Sequence, residues 1–384
     1  MRILYCAIDQ TVPGTLGGSV HTERVATGLA SLGHEVTALA MPGDGGFPAG
    51  PAKWQAVSAP FGRAHFRILR ASQVGSIAEA FRPDIVVERY HNFGGEGVRA
   101  ALRLGVPVAL EVNAPIVDHP GSTKRLIDRA LLVEPLRRWR DWQCAHTDLF
   151  ITPSRATLPA WVPSDRVLEI EWGADTDRFR PDAAGPRVFE RPAGTVAVFA
   201  GAFRAWHGAI HLVRAVTRLR AQGAGDISAV LIGRGPEWAS VRDAAGGAPG
   251  IQFTGALPHD VMPSALAACD IGVAPFDVSR HRSLSLDFYW SPLKIFEYMA
   301  TGLPVVAPRI PRLARLVEDG REGRLYDDAD PDSLGATLLA LHRDPAARAA
   351  LGRAARARAV AAYSWRAHCE RLSSAFSTLV RKQA

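Results

Sequence analysis

Ten short runs of β-branched and other apolar residues recur along the chain, and their spacing constrains the fold more than any other feature. Five fall in the first half, "RILYCAI", "EVTALAM", "DIVVERY", "PVALEVN" and "DLFITPS", bounded by Gly, Pro or Asp. Five more follow, "TVAVFAG", "ISAVLIG", "IQFTG", "DIGVAPF" and "LPVVAP". Helical patterns separate them, so each run reads as a strand apolar on both faces, within a parallel sheet wrapped by helices. The restart of the pattern predicts an α/β chain of two successive doubly wound units rather than one long sheet.

Length agrees: 384 residues, 47% of them apolar, suffice for two cores. The seam falls in "EIEWGADTDRFRPDAAGPRVFERPAG", rich in Pro, Gly and charge and without periodicity. From Asp344 onward the chain is Ala- and Arg-rich and helical by propensity.

The formal charge of +7 suits an anionic partner, whether nucleotide, phospholipid surface or nucleic acid, and equally a merely solvated surface. No aromatic-basic motif supports nucleic acid. Cys6, Cys144, Cys269 and Cys369 form no CxxC pair, which points away from a zinc knuckle or disulfide framework and toward a reducing cytoplasm. The opening "ILYCAI" is too short for a signal peptide, and no apolar run approaches the roughly 20 residues of a membrane span. A cytoplasmic protein is expected, free or peripheral to the inner face of a membrane.

In doubly wound units the loops after the strand ends hold ligands. Gly17 and Gly18 precede a helix, where backbone N–H groups can meet a diphosphate; a tight strand-to-helix turn explains them as well. In the second unit "FAGAFRAWHGAIHLV" adds Arg204 and His207, an Arg to grip phosphate oxygens and a His to donate to one. His211 has the spacing of a second metal ligand but no acidic or Cys companion, so it reads as a surface or packed residue. "VLIGRGPEW" places Gly233, Arg234 and Gly235 after a strand, only part of a dinucleotide fingerprint, and no P-loop motif exists.

In "SPLKIFEYMATGLPVV" Ser291 is the expected N-cap and Pro292 the first helical residue. The free amides of Leu293 and Lys294 then suit an anion. Glu297 lies too deep to cap. It suits the two hydroxyls of a ribose, or else pairs with Lys294 on the helix surface.

With these motifs in order, the Gly17-Gly18 loop, "EVNAPI", "WGADTDRFRP", "FAGAFRAWHGA", "LIGRGPEW" and "SPLKIFEYMATGLPVVAP", nearly the whole chain resembles the retaining nucleotide-sugar glycosyltransferases of family four, relatives of glycogen synthase and the phosphatidylinositol mannosyltransferases. The resemblance implies a GT-B fold, two facing Rossmann-like domains with a cleft between them. It implies an acceptor domain over 1–178, rejoined by a C-terminal helix over 366–384, and a donor domain over 179–365. Glu297 matches the residue that binds the donor ribose, and Leu293 and Lys294 match those whose amides meet the diphosphate. Arg204, His207, Arg234, Ser291, Pro292, Gly17 and Gly18 complete the implied donor site. The implied mechanism is front-face displacement, in which the leaving diphosphate takes the acceptor proton while Arg204, Lys294 and helix amides absorb its charge.

Three departures accompany the match. Arg204 and His207 stand where the family has an Arg and a Lys four residues apart, with Lys294 as substitute cation. Tyr289 replaces the Glu that contacts the transferred sugar, and Asp287 lies two residues earlier. Asn113 replaces a His near that sugar; Asn113 and His119 are the expected first-domain catalytic residues, with Asp118, His91 and Asn92 as further candidates. Asp175-Thr176-Asp177 imitates the DxD metal motif in a stretch the family uses without metal, so neither metal nor other cofactor is expected.

The donor is expected to be a nucleotide sugar and the acceptor a small molecule, glycan or lipid-linked hydroxyl. "KRLIDRALLVEPLRRWR", from Lys124 to Arg140 and including Arg125, Arg137 and Arg138, reads either as an interfacial helix or as a basic helix of a soluble domain. A nucleotide-sugar epimerase and a non-catalytic sugar-nucleotide-binding protein are the rival functions.

Overall fold

The structure is a computed structural model that describes residues 1–14, 16–62, 64–116, 123–130, 134–281 and 288–383. Two compact units divide it: Met1–Trp172 with Tyr289–Ser291 and Trp365–Ala384, and Gly173–Phe288 with Pro292–Ser364. The chain changes unit at Trp172/Gly173 and Ser364/Trp365, and Tyr289–Ser291 returns briefly to the first; the boundaries expected from sequence stood at 178/179 and 365/366.

The first unit holds seven strands: β1 (Arg2–Val12), β2 (Glu35–Pro42), β3 (Lys53–Ala56), β4 (Ile85–Arg89), β5 (Val108–Glu111), β6 (Leu149–Thr152) and β7 (Val167–Glu169). They lie in the order β3-β2-β1-β4-β5-β6-β7, every pair parallel. The order reverses between β1 and β4, which opens the loops of that edge to a ligand. Five of these strands are the apolar runs of the sequence. The edge strands β3 and β7 escape it, because "KWQA" and "VLE" are short, carry no apolar run and stay partly exposed.

Strand β4 is buried throughout although it ends in Glu88 and Arg89. Both charges are paired. Arg67, fully buried, reaches Asp9 at 2.7 Å, Glu96 and, at 3.5 Å, Glu88. Glu88 also accepts from the N–H groups of Gly95 at 2.5 Å and Val98 at 2.8 Å, at the start of the helix Glu96–Leu104. Burial first, then the charge of Glu96, pushes its carboxyl up to about 8.

The second unit holds β8 (Thr195–Ala200), β9 (Ile227–Ile232), β10 (Ile251–Gly255), β11 (Ile271–Val273), β12 (Val305–Pro308) and β13 (Gly323–Tyr326). Their order is β10-β9-β8-β11-β12-β13, again all parallel, with the reversal between β8 and β11. Its core packs Phe199, Phe203, Leu212, Val216 and Leu338 against Ile271 and Val306. The edge strand β13, "GRLY", is the one not read from sequence: it is short and carries no apolar run, although three of its four residues are buried. The linker carries no helix or named strand between β7 and β8, and helices Pro345–Ala362 and Trp365–Gln383 close the chain.

All four cysteines are buried and free. Among the described residues, no helix is long and apolar enough to cross a membrane.

Candidate functional site

In the second unit, β8, β9 and β10 lead into three glycines at the edge where the strand order reverses. Gly201 donates to the carbonyl of Ile232 at 2.9 Å, and Gly233 to that of Gly255 at 2.8 Å. Gly201 has φ +145° and Gly233 φ +127°, a backbone that side chains disfavour. A Cβ on Gly233 would strike the Gly201 carbonyl, and one on Gly201 would stand 2.9 Å from the ammonium of Lys294. The glycines therefore form a bare backbone shelf, and Lys294 reaches it.

Lys294 comes from the helix Leu293–Ala300, which is tied to β8 through Tyr298: its hydroxyl accepts from the N–H of Ala200 at 2.7 Å. The lysine side chain turns inward and is buried. Its Nζ stands 4.1 Å from the centroid of Phe199 and 5.1 Å from that of Phe276, and it has no hydrogen-bond partner among the described residues. Loss of water favours the neutral amine and lowers its pKa to about 7, against the weaker pull of Glu297. The two aromatic faces return part of the lost solvation.

Ser291 does not cap this helix, contrary to the sequence expectation. Its hydroxyl donates to Glu171 at 2.9 Å and accepts from the N–H of Trp172 at 2.8 Å, both within the first unit. Pro292 takes the cap position, with Leu293 the first helical residue. No side chain caps the helix, so the Leu293 and Lys294 amides have no carbonyl one turn back and stay open to an anion.

Glu297 does not pair with Lys294. Its carboxylate lies 3.7 Å from Nε2 of His259, in the loop after β10, and is one-fifth exposed at 20%. His259 was not singled out from sequence; its loop position after a central run was the available signal.

His207 donates Nδ1–H to the carbonyl of Ala202 at 2.5 Å, which leaves the Nε2 lone pair outward. Burial, then the charges of Lys294 and Arg204, hold the imidazole neutral. With Nδ1–H spent on Ala202, the neutral ring can only accept at Nε2, whereas the sequence reading expected a donor. Arg204 is exposed at the start of the turn Ala205–His207 and lines a cavity of about 290 Å³ with His211, Arg214 and Glu237. His211 stands 3.3 Å from Asp277. Arg234 stacks over Trp238, 5.0 Å from the ring centroid.

In the first unit Gly17 and Gly18 are the first residues of the helix Gly17–Ser31 rather than a turn before it. A Cβ on Gly18 would meet Gln10 and stand 3.1 Å from Arg89. Asn113 donates to Glu111 and accepts from Trp172 Nε1 at 2.9 Å. Glu111 further accepts from Tyr5 at 2.6 Å and Arg89 at 2.8 Å, with His21 at 3.3 Å. Asn113 is thus a member of a buried network that sequence reading did not assemble. Tyr289 is buried beside Trp290. His91 accepts from the N–H of Phe93 at 3.2 Å and Asn92 accepts from Tyr90 at 2.8 Å. His119, Asp118 and Asp287 lie outside the described residues.

The segment from Lys124 to Arg140 splits into helices Thr123–Ala130 and Pro135–Ala145, with Pro135 starting the second. Asp128 accepts from the N–H groups of Leu136 at 2.9 Å and Arg137 at 3.0 Å. Trp139 packs inward, stacked on Trp142 and donating to the Gly94 carbonyl at 2.9 Å. Asp175 starts a turn, accepting from the N–H of Arg178 at 3.2 Å, and Arg356 donates to the Thr176 carbonyl at 2.8 Å.

Comparison with known proteins follows the same division. Residues 16–178 match the model of Glycosyltransferase Family 4, and residues 194–344 that of Glycosyl transferases group 1. A GDP-mannose-dependent alpha-(1-6)-phosphatidylinositol monomannoside mannosyltransferase of Mycolicibacterium smegmatis is 31% identical over 225 residues, 57% of this chain and 58% of the relative. The match therefore spans little more than half of that relative's length. Among solved structures, a glycosyltransferase from Rickettsia africae superposes with TM-score 0.71 at 16% identity, covering 99% of this chain and 98% of the other. The Anabaena protein HepE in complex with UDP and glucose gives 0.68 at 17% identity, covering 98% and 99%. Those two share the fold.

Proposed function

The chain belongs to the glycosyltransferases of family 4, and from that premise we propose that it moves a sugar from a nucleoside diphosphate sugar to an acceptor hydroxyl. The observation that carries this reading is Lys294, a buried ammonium without a hydrogen-bond partner beside a glycine shelf and two open helix amides. A diphosphate supplies the missing counter-charge. Glu297 then receives the ribose hydroxyls, and Arg234 stands at the same edge for the rest of the nucleotide.

Transfer proceeds with retention. The departing diphosphate accepts the proton of the attacking hydroxyl, and its growing charge is met by Lys294, Arg204 and the amides of Leu293 and Lys294. Donors already in place stabilise that charge more in the transition state than in the ground state; a single one is worth about 10²- to 10³-fold in comparable sites. The chain's own cations fill this role, so we propose that the reaction needs no metal. The acceptor is a small molecule, glycan or lipid-linked hydroxyl, met by the first unit.

GDP-mannose is the donor to test first, since the mycobacterial relative is named for it. Nucleoside diphosphates and their sugar conjugates are added to the protein and its melting temperature is followed, with Glu297→Ala alongside. A rise with one base, lost in the variant, supports the donor site. No rise with any diphosphate refutes it. Retention is read from the anomeric configuration of the product by NMR, and metal independence from turnover in excess chelator.

A further inference from the structure

We infer that the second unit binds the phosphate group of a phosphorylated sugar in the cavity of about 290 Å³ bordered by Arg204, a site apart from the glycine shelf. Arg204, Arg214 and Arg280 line this cavity, whereas Gly201, Gly233, Lys294 and Glu297 do not. None of the three arginines has a carboxylate partner among the described residues. Elsewhere in the unit arginines are matched: Arg191 meets Asp270 at 2.7 Å, Arg309 meets Asp319 at 2.5 Å and Arg358 meets Glu322 at 3.0 Å. Guanidinium groups gathered without counter-ions raise the local positive potential, and a phosphate meets each with paired hydrogen bonds.

The fold builds this convergence. Ile210 and Arg214 stand four apart on the helix Ala209–Ala221, and Ser240 and Ala244 four apart on the helix Trp238–Ala245, so each pair shares a face and all four border the cavity. The other two arginines come from turns that are tied together. The N–H of Asp277 donates to the Trp206 carbonyl at 3.0 Å, which joins the turn Val278–Arg280 to the turn Ala205–His207 that follows Arg204. No side chain caps the helix Ala209–Ala221, so the open amides of Ala209 and Ile210 add to the positive potential at the same place.

Two carboxylates also border the cavity, and they narrow the ligand. Asp277 is engaged: one oxygen accepts from the N–H of Ser279 at 3.2 Å and from its hydroxyl at 2.5 Å, and the other stands 3.3 Å from Nε2 of His211. Glu237 is half-buried and forms no ion pair among the described residues. A carboxylate beside three arginines disfavours a bare polyanion and accepts hydroxyl groups, so the ligand that fits carries hydroxyls next to its phosphate. The cavity of about 390 Å³ in the first unit differs, because Arg137 there already meets Glu134 at 3.2 Å and Arg140 meets Asp128 at 3.5 Å.

The test is calorimetric titration of the full chain with mannose 6-phosphate and fructose 6-phosphate, with mannose, fructose and inorganic phosphate as controls. At least one hexose phosphate should bind, about tenfold or more tighter than inorganic phosphate, and neither free sugar should bind. Arg214→Gln/Arg280→Gln should weaken that binding about tenfold or more, the usual loss with charged hydrogen bonds. Both side chains are exposed, so the variant's melting temperature and its affinity for a nucleoside diphosphate should stay those of the parent. Arg204 is kept in this variant because the donor reading also uses it. Lys294→Met should bind the hexose phosphate as the parent does, which separates this inference from the donor reading. The inference fails if neither hexose phosphate binds, or if the double variant binds it as well as the parent. It also fails if Lys294→Met abolishes the binding or the double variant loses nucleoside diphosphate too, since either would put the phosphate in the donor site. Equal affinity for inorganic phosphate would overturn the assignment of a sugar.

Discussion

Lys294 and Glu297 stand three residues apart on one helix and do not pair: the carboxylate lies 3.7 Å from His259, while the ammonium turns inward to 4.1 Å from the ring centroid of Phe199. Two opposite charges at this spacing normally meet at a helix surface for a few tenths of a kcal/mol. Here the helix packs its lysine face against β8, and burial outweighs so small an attraction. The two side chains are thereby left free for two parts of one ligand.

Replacing the ammonium by a methyl thioether tests this separation of roles. Lys294→Met should keep or raise the stability of the free protein, since it removes a buried charge without a hydrogen-bond partner. Diphosphate binding should weaken by about 1.5 to 3 kcal/mol, the usual worth of a charged hydrogen bond, or roughly tenfold to a hundredfold. Calorimetric unfolding and titration with nucleoside diphosphate read the two effects. A variant that loses stability and keeps affinity would contradict the assignment.

Diphosphate binding should also take up a proton. The lysine has its pKa lowered from 10.5 to about 7 in the free protein, so it is largely neutral above that pH and recharged by the bound anion. Affinity should fall as pH rises from about 7. For stability the sign is opposite: between about 7 and 10.5 the unfolded chain binds the extra proton, so the folded state gains as pH increases through that window. His207 faces this ammonium and also Arg204, Glu297 opposes the ammonium, and His259 flanks Glu297. Titrations in buffers of different ionisation enthalpy count the protons. The part that Lys294→Met abolishes belongs to the lysine, and the remainder reports His207.

Gly201→Ala should damage stability and donor binding together. The added methyl would lie 2.9 Å from Nζ of Lys294 on a backbone at φ +145°. A loss of about 1 kcal/mol or more is expected, with weaker diphosphate binding as the ammonium is displaced. Unchanged binding would show that the shelf is not where the anion sits.

Arg67→Met should be the most destabilising of these substitutions. It leaves Asp9, Glu88 and Glu96 without the cation they share, and breaking such a buried set costs about 3 to 5 kcal/mol. Urea unfolding measures it. A loss below about 1 kcal/mol would mean that the carboxylates neutralise themselves by taking up protons.

Legibility followed the range of the interaction. β1, β2, β4, β5 and β6, and β8, β9, β11 and β12, announce themselves because a strand buried on both faces must be apolar nearly throughout, while β10, an edge strand only partly buried, is legible through its own Ile251 and Phe253. β3, β7 and β13 are silent because an edge strand borrows its pairing from a neighbour and needs no apolar run of its own. Glu297, Lys294, Arg204 and His207 were visible through motif spacing. Their relations were not: the cap of Ser291 gave way to bonds with Glu171 and Trp172, and His207 spends its proton on Ala202.

The sequence by itself determined two successive parallel α/β units, a linker without regular structure and the glycine, proline and charged residues at the strand ends. Periodicity and turn chemistry act over a few residues, so a linear reading captures them. Only tertiary structure decided that Lys294 points at a glycine shelf, that Glu297 meets His259, that Asn113 joins a network with Glu111 and Trp172, and that Arg67 goes inside while Phe61, Phe66 and Leu69 stay out. Each of these depends on which distant groups are brought near enough to exchange water for a neighbour. That choice is made by packing across the sheets, where a buried charge is tolerated only beside the partners the fold supplies.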